Sequence, residues 1–318
     1  MIGIGAVHTL LPENRVKVAD LPELPGLDRE AARFAVDSGI VTVGVYEEDA
    51  ATLAARACRE LLDRTDTPPP DVLILVAPRA PEVLLGSDVG RVQAEAGCRG
   101  ALAFTVDGLG CTGSSVAWAL AADMLRADES RRCVVIAHAS RPTGLDRVRH
   151  PVTVIGDGAY AMTMVRDGCP VLRAHRAEVD GSFHDLFRVD YRSTPWYEWR
   201  EECDSPDRYR FELALRSRER LAALVNQVIA DADVDRSRIR ATVMQNVTAS
   251  AYEFYTTVLG LPIHPLCAEH LHDYGHLGAM DVVLNLDRVL ATGFDVGDLV
   301  LVINNSPVAA WAATLWEV

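Results

Sequence analysis

Cys111 stands in the run Asp107-Gly108-Leu109-Gly110-Cys111-Thr112-Gly113-Ser114. The residues before it, Ala101 to Val106, form an apolar run of buried-strand length. After it, Val116, Leu120 and Met124 recur at helical spacing with small residues between them. Gly108, Gly110 and Gly113 permit the tight turn that a strand-to-helix elbow needs. The pattern predicts a cysteine at the mouth of a helix. Unpaired backbone N–H groups and the positive dipole end favour a thiolate there, and a thiolate is nucleophilic near neutral pH. The competing reading is a small buried hydrophobe, the usual fate of a free cysteine. Gly-x-Gly-Cys-x-Gly alone does not decide between them.

The elements around Cys111 alternate between strand-like and helix-like. Ile2 to Val7 reads as a strand, Ala50 to Leu62 as a helix ending before Thr67-Pro68-Pro69-Pro70, and Asp71 to Ala77 as a buried strand. Asp88 to Ala96 reads as a helix and Arg132 to Ala137 as a strand. Val152 to Ile155, Gly156-Asp157-Gly158 and Ala159 to Val165 read as a tight loop feeding another strand. A second half starts near Gly168-Cys169-Pro170. It holds a long helix over Phe211 to Ala232, a strand over Ala241 to Met244, and a helix from Ser250 to Leu259 closed by Gly260. It ends with a helix over His276 to Thr292 and strands at Leu299 to Ile303 and Ala309 to Trp316. Val/Leu-rich strands in two α/β halves imply largely covered sheets. Asp180 to Asp207, with Trp196, Tyr197 and Trp199, reads as an irregular excursion of the kind that covers a site.

A chain of 318 residues, 49% hydrophobic and 24% charged, is an ordinary globular composition with room for one large core or two medium ones. A formal net charge of −14 argues against a general nucleic-acid or anionic-membrane surface. Arg126, Arg131, Arg132, Arg141, Arg147 and Arg149 cluster locally, as a solvated face or a docking patch for an acidic partner. Seven scattered cysteines without a C-x-x-C pair argue against a disulfide framework and a zinc site. A reducing, cytoplasmic location fits. The start, Met1-Ile2-Gly3-Ile4-Gly5-Ala6-Val7, reads as a strand rather than a signal peptide, and no run reaches the length of a membrane span.

The order of features resembles the thiolase superfamily, specifically its β-ketoacyl-acyl-carrier-protein synthase III branch. The resemblance runs end to end: Ile4-Gly5, Leu11-Pro12-Glu13, Ser38-Gly39-Ile40, the Cys111 elbow, Gly156-Asp157-Gly158-Ala159, Asp180-Gly181-Ser182, Gly297-Asp298-Leu299-Val300-Leu301 and Trp311. It implies an α/β thiolase-like fold of two pseudo-symmetric halves, residues 1–167 and 168–318, in five αβαβα layers, as a homodimer. A Cys, a His and an Asn carry the family's chemistry. The Cys maps onto Cys111. The His position falls on Gln245, or on Asn246 if the register slips by one. The Asn position, in Gly275-His276-Leu277-Gly278-Ala279, is occupied by His276. Imidazole and amide have therefore exchanged places.

Two further departures concern binding. The family's Gly-rich oxyanion loop reads Asn304-Asn305-Ser306-Pro307-Val308 here. Pro307 aligns with the donor glycine and has no N–H to give, so Asn305 or Gln245 is a candidate replacement. The Trp and Arg that grip coenzyme A in synthase III relatives are replaced by Arg33 and Asp37, which favours a carrier-bound donor over free acyl-CoA.

A Cys, a His and an orienting amide or carboxylate form an arrangement for acyl transfer. Cys111 would take the acyl group from a thioester of phosphopantetheine or coenzyme A. His276 would deprotonate a small-molecule hydroxyl or amine, and Asn305, Asn304 or Asp273 would orient the imidazole. The implied function is a non-decarboxylating acyltransferase of specialised metabolism, with an acyl carrier protein or acyl-CoA as donor and no cofactor. Two alternatives stay open: a decarboxylative synthase with a swapped His276/Gln245 pair, and a non-catalytic subunit partnering a ketosynthase. His264, His270 and His272 read as surface, capping or structural residues, His138 as a satisfied structural histidine, and Asp157 as a turn residue. Leu84, Leu85 and the Trp196–Trp199 segment are candidates for shaping the acyl pocket.

Overall fold

The computed structural model describes residues 1–318. Nine strands form one mixed sheet: β1 (Ile2–Leu10), β2 (Val72–Val76), β3 (Leu102–Val106), β4 (Cys133–Ser140), β5 (Gly158–Arg166), β6 (Val171–Val179), β7 (Ile239–Met244), β8 (Leu299–Ser306) and β9 (Ala310–Glu317). Their order is β7-β8-β9-β6-β1-β5-β4-β2-β3. Strands from the first half of the chain thus lie on one side and those from the second half on the other. The two sides meet where β1 pairs with β6 through Gly3 and Val171. A Cβ on Gly3 would lie 2.2 Å from the Gly168 carbonyl oxygen, so this close backbone approach requires glycine.

Eight α-helices accompany the sheet: α1 (Arg29–Asp37), α2 (Ala50–Arg64), α3 (Asp88–Glu95), α4 (Gly113–Ala127), α5 (Ala214–Asp231), α6 (Ala249–Leu259), α7 (Pro265–Tyr274) and α8 (Asp281–Leu290). Local chemistry sets several ends. Asp49 caps α2 by accepting from Thr52 N at 2.7 Å, and Gly260 closes α6 at φ 62°. Helices α2 and α3 cover the outer face of the first half-sheet, and α5 covers that of the second. Helices α4 and α8 lie between, with α4 touching strands of both halves. These are the five layers of a thiolase-type fold. Trp118 on α4 meets Trp316 on β9 edge to face at 5.3 Å, tying the central helix layer to the second half-sheet. A large apolar core spans the middle of the molecule, and a smaller one lies between α2 and the first half-sheet.

Several elements differ from the sequence reading. Strand β6 was not among the expected strands, because Arg173, His175, Arg176 and Glu178 interrupt its apolar residues; it pairs antiparallel with β9. Helices α1 and α7 lie where the sequence pattern predicts no element. The helix expected from His276 begins at Asp281. Gly275 and Gly278, at φ 69° and 63°, break the path before it, leaving His276 in extended backbone bridged to Ile155. The helix expected from Phe211 starts at Ala214, after a wider π-type turn over Arg208–Leu213.

The arginine cluster does not form one face. Arg147 is buried against Asp157, Arg149 is buried against Glu201, and Arg126 and Arg131 pair with Asp123 and Asp128 on the surface. Asp157 is more than a turn residue: fully buried, it accepts two hydrogen bonds from Arg147 and one from Tyr46 N. No helix is long and apolar enough to cross a membrane.

Candidate active site

Cys111 sits in a 3-10 turn, Gly110–Thr112, that feeds directly into α4. Gly110 makes this possible: its φ is 52°, and a Cβ there would lie 2.3 Å from Ser306 Oγ. The Cys111 Sγ lies 3.1 Å from His276 Nε2. On the other side of the ring, His276 Nδ1 lies 2.5 Å from Asp281 Oδ2. Asp281 is the first residue of α8 and fully buried. Its carboxylate also accepts from Leu277 N at 2.8 Å and Asn246 N at 3.0 Å. These bonds fix the ring with its Nδ1–H on the carboxylate and Nε2 toward sulfur.

The electrostatics follow from this chain of contacts. Burial alone pushes the Cys111 thiol up. The His276 imidazolium and its hydrogen bond, with Arg79 and Arg149, outweigh burial and hold the thiol below its ordinary value. Burial likewise disfavours a charged His276, yet the Cys111 and Asp281 charges raise it well above the usual histidine range. Both directions describe a thiolate–imidazolium pair backed by a carboxylate.

The other expected residues lie nearby but in different relationships. Asn304 and Asn305 do not touch His276. Asn304 donates to the Cys111 carbonyl at 2.8 Å. Asn305 donates to the Tyr255 hydroxyl at 2.9 Å and accepts from Gln245 through both its backbone and side-chain oxygens. The amide N–H groups of Gln245 are thus turned to Asn305. Asn246 is a buried support: it donates to Asp281 through its backbone N–H and to the Gly275 carbonyl through its side chain. Asp273 is on the surface with His272 and Arg15. His270 contacts Asn285, and His264 caps α7.

The orienting group on the imidazole is therefore Asp281, which the sequence reading passed over. It lies five residues on, across the break at Gly278, at no regular helical or strand spacing from the histidine. Ser306 was also missed. It is buried beside Cys111, accepts a long hydrogen bond from Val308 N at 3.5 Å, and donates to no protein group.

Two cavities meet at Cys111 and Ser306. One, of about 480 Å³, runs past His276, Gln245, Asn305 and Pro307 along α5 and α6, with Phe34, Tyr209 and Phe254 among its lining. The other, of about 280 Å³, is walled by Arg79, His138, Arg149, Phe187 and Glu201. The excursion over Asp180 to Asp207 does cover this second cavity, through Phe187, Arg188, Val189 and Glu201. Leu84, Leu85 and Trp196 to Trp199 line neither cavity. His138 is only half satisfied. Its Nδ1–H donates to the Val76 carbonyl at 3.1 Å, while Nε2 is buried without a partner. Burial, aided by Arg79 and His276, pushes it down to about 4, so it is neutral. No group of three or more His, Cys, Asp or Glu side chains could hold a metal ion.

No family model matches the chain. Similarity to individual proteins is nevertheless extensive. The chain is 28% identical over 283 residues to β-ketoacyl-[acyl-carrier-protein] synthase III of Erythrobacter litoralis, covering 85% of this chain and 84% of that one. It is 27% identical over 293 residues to the synthase III of a Synechococcus species, covering 86% and 84%. Among solved structures, the 3-oxoacyl-[acyl-carrier-protein] synthase III of Aquifex aeolicus matches with a TM-score of 0.81 over 100% of both chains, at 20% identity. The acyltransferase ChlB3 matches with a TM-score of 0.82 at 23% identity, over 100% of this chain and 97% of that one. The fold is of the thiolase type. The chain is similar over most of its length to β-ketoacyl-acyl-carrier-protein synthase III proteins.

Proposed function

We propose that this protein is an acyltransferase that moves an acyl group from a phosphopantetheine thioester, through Cys111, to a hydroxyl or amine acceptor. The observation that carries this reading is the Cys111–His276–Asp281 relay, combined with the pairing of Gln245 to Asn305. A decarboxylating synthase needs donors on the malonyl thioester carbonyl to stabilise the enolate as CO₂ leaves. Here the amide N–H groups at the family's histidine position are bound to Asn305. The single imidazole is instead built as a nucleophile-base pair with its own orienter.

The reaction then runs in two halves. The Cys111 thiolate attacks the thioester carbonyl, and the bond from that carbon to the donor sulfur breaks. The departing thiolate takes the proton of the His276 imidazolium and leaves as a thiol. Neutral His276 then takes the proton of the acceptor O–H or N–H as that atom attacks the acyl carbon. The bond to Sγ breaks, and the thiolate–imidazolium pair is restored. The Ser306 hydroxyl, free to donate, supplies the oxyanion contact that Pro307 cannot. The larger cavity, long and mostly apolar, takes the pantetheine arm of a carrier protein or coenzyme A. Thioester and acceptor suffice for this chemistry, without a cofactor.

Intact-mass analysis tests the proposal. Wild-type protein mixed with a panel of acyl thioesters should gain one acyl mass, and Cys111→Ala should gain none. Adding alcohols and amines should discharge the adduct onto one acceptor class. A wild-type protein that never acquires the adduct, or acquires it and transfers it to carbon with loss of CO₂, would refute the reading.

A further inference from the structure

The smaller cavity beside Cys111 holds buried guanidinium donors that lack acceptors. Arg79 Nη1 lies 3.5 Å from Glu201 Oε2, and Arg149 Nη2 bonds the other oxygen of the same carboxylate. One anion thus serves two guanidiniums. Their side chains are only 14% and 5% exposed. A guanidinium carries five N–H donors, and each of these two donates a single hydrogen bond, both to Glu201. The Nε of each is buried with no partner. Phe187 stacks on Arg149 at 4.9 Å and fixes its plane. Of the other ionisable groups, the Cys111 thiolate faces both guanidiniums, but it is paired with His276 and accepts a hydrogen bond from neither arginine. Arg188 at the rim is matched by Glu202 and Asp204, and His138 is neutral. Asp107 at the mouth is exposed and accepts from Gly108 N.

Unpaired buried cations are unfavourable unless a counter-charge completes them. A planar fork with free donors is the group that recognises a carboxylate. We propose that this cavity receives an acyl group ending in a carboxylate, held by Arg79 and Arg149 while its thioester carbon is on Cys111. The proposal rests on the acyl-transfer reading above and names its substrate class. The larger, more apolar cavity suits the pantetheine arm, which leaves the arginine-lined one for the acyl group itself. His138 Nε2, a lone-pair acceptor on the same wall, repels a carboxylate and so confines it to the arginine side.

The test has two arms. The first compares the alkylation rates of Cys111 by iodoacetate and iodoacetamide, followed by intact mass. These reagents differ in one negative charge and need no acyl transfer. The wild-type iodoacetate-to-iodoacetamide ratio should exceed that of a free small thiol by on the order of tenfold. Arg79→Gln and Arg149→Gln should each bring it back toward the thiol value, and Glu201→Gln, which frees both guanidiniums, should raise it. The second arm compares malonyl, succinyl and glutaryl pantetheine thioesters with acetyl and butyryl ones. Faster acylation by a dicarboxylyl thioester, lost in the arginine variants, is the expected result. Normal acyl uptake with no anionic preference overturns this proposal alone. An arginine-dependent iodoacetate preference without a dicarboxylyl preference assigns the carboxylate to the acceptor and also overturns it. Absence of uptake from every thioester overturns the acyl-transfer reading and this proposal with it.

Discussion

Replacing Asp281 by Asn removes one buried charge and reverses one hydrogen bond. The Asp281 carboxylate accepts three bonds, from His276 Nδ1, Leu277 N and Asn246 N. An Asn keeps its oxygen for Leu277 but presents an amide N–H to the two other donors. The lost charge-assisted bond is worth about 1.5–3 kcal/mol, or roughly one to two pKa units on the imidazolium. Because the imidazolium holds the Cys111 thiolate, the thiolate fraction at a given acidic pH falls about 10–100-fold. The sign is fixed by geometry. Cys111 is depressed, so thiolate is present above its pKa and is lost as pH falls; removing Asp281 moves that loss to higher pH. The amide also favours the ring tautomer that cannot take a proton at Nε2. In Ser-His-Asp proteases the corresponding Asp→Asn change lowers kcat about 10⁴-fold. The assay is iodoacetamide alkylation of Cys111 from pH 5 to 10, read by intact mass, alongside acyl transfer. The D281N midpoint should rise by about one to two units while the high-pH plateau stays within a few-fold. Transfer should drop on the order of 10³-fold or more. Near-UV circular dichroism establishes folding, since the unmatched donor costs about 1–3 kcal/mol. A folded variant with an unmoved midpoint would refute the relay.

Other substitutions probe the neighbouring supports. Ser306→Ala should slow Cys111 acylation by thioesters about 10²–10³-fold in rapid-quench experiments; an unchanged rate removes the hydroxyl from the oxyanion site. Gly110→Ala forces a Cβ onto a positive-φ residue facing Ser306, for about 1–2 kcal/mol. Thermal unfolding should show the loss and alkylation should slow. Asp157→Ala strands the buried Arg147 guanidinium and should cost about 3–5 kcal/mol, measured as a shift in the denaturant midpoint at unchanged slope; a shift of a few tenths would mean that water reaches Arg147.

What the sequence displayed was the part of the site built by short-range rules. The Cys111 elbow is written in its glycines, and the departure of Pro307 in its missing N–H. His276 was visible through the motif around it. Asp281 was not, because five residues across a break at Gly278 correspond to no regular helical or strand spacing. The pairing exists only because the chain turns between α7 and α8. Arg79 and Glu201 come from separate loops and Arg149 from a two-residue strand, and nothing local marks them as neighbours. The amides at Gln245 and Asn305 were visible as candidates, but their commitment to each other depends on β7 and β8 lying side by side. At the level of fold, buried apolar strands such as β2 were readable, whereas β6 was not. Its polar residues are interleaved with small and apolar ones, so no clean alternation announces it.

The most direct test follows the carboxyl carbon and the acyl carbonyl together. Malonyl-pantetheine thioester labelled in its free carboxyl would be incubated with the protein and with hydroxyl and amine acceptors, scoring released CO₂ and labelled product in one vessel. The account predicts that the label stays with the acyl group, first on Cys111 and then in an ester or amide. Labelled CO₂ released in step with formation of a carbon–carbon bond would contradict it.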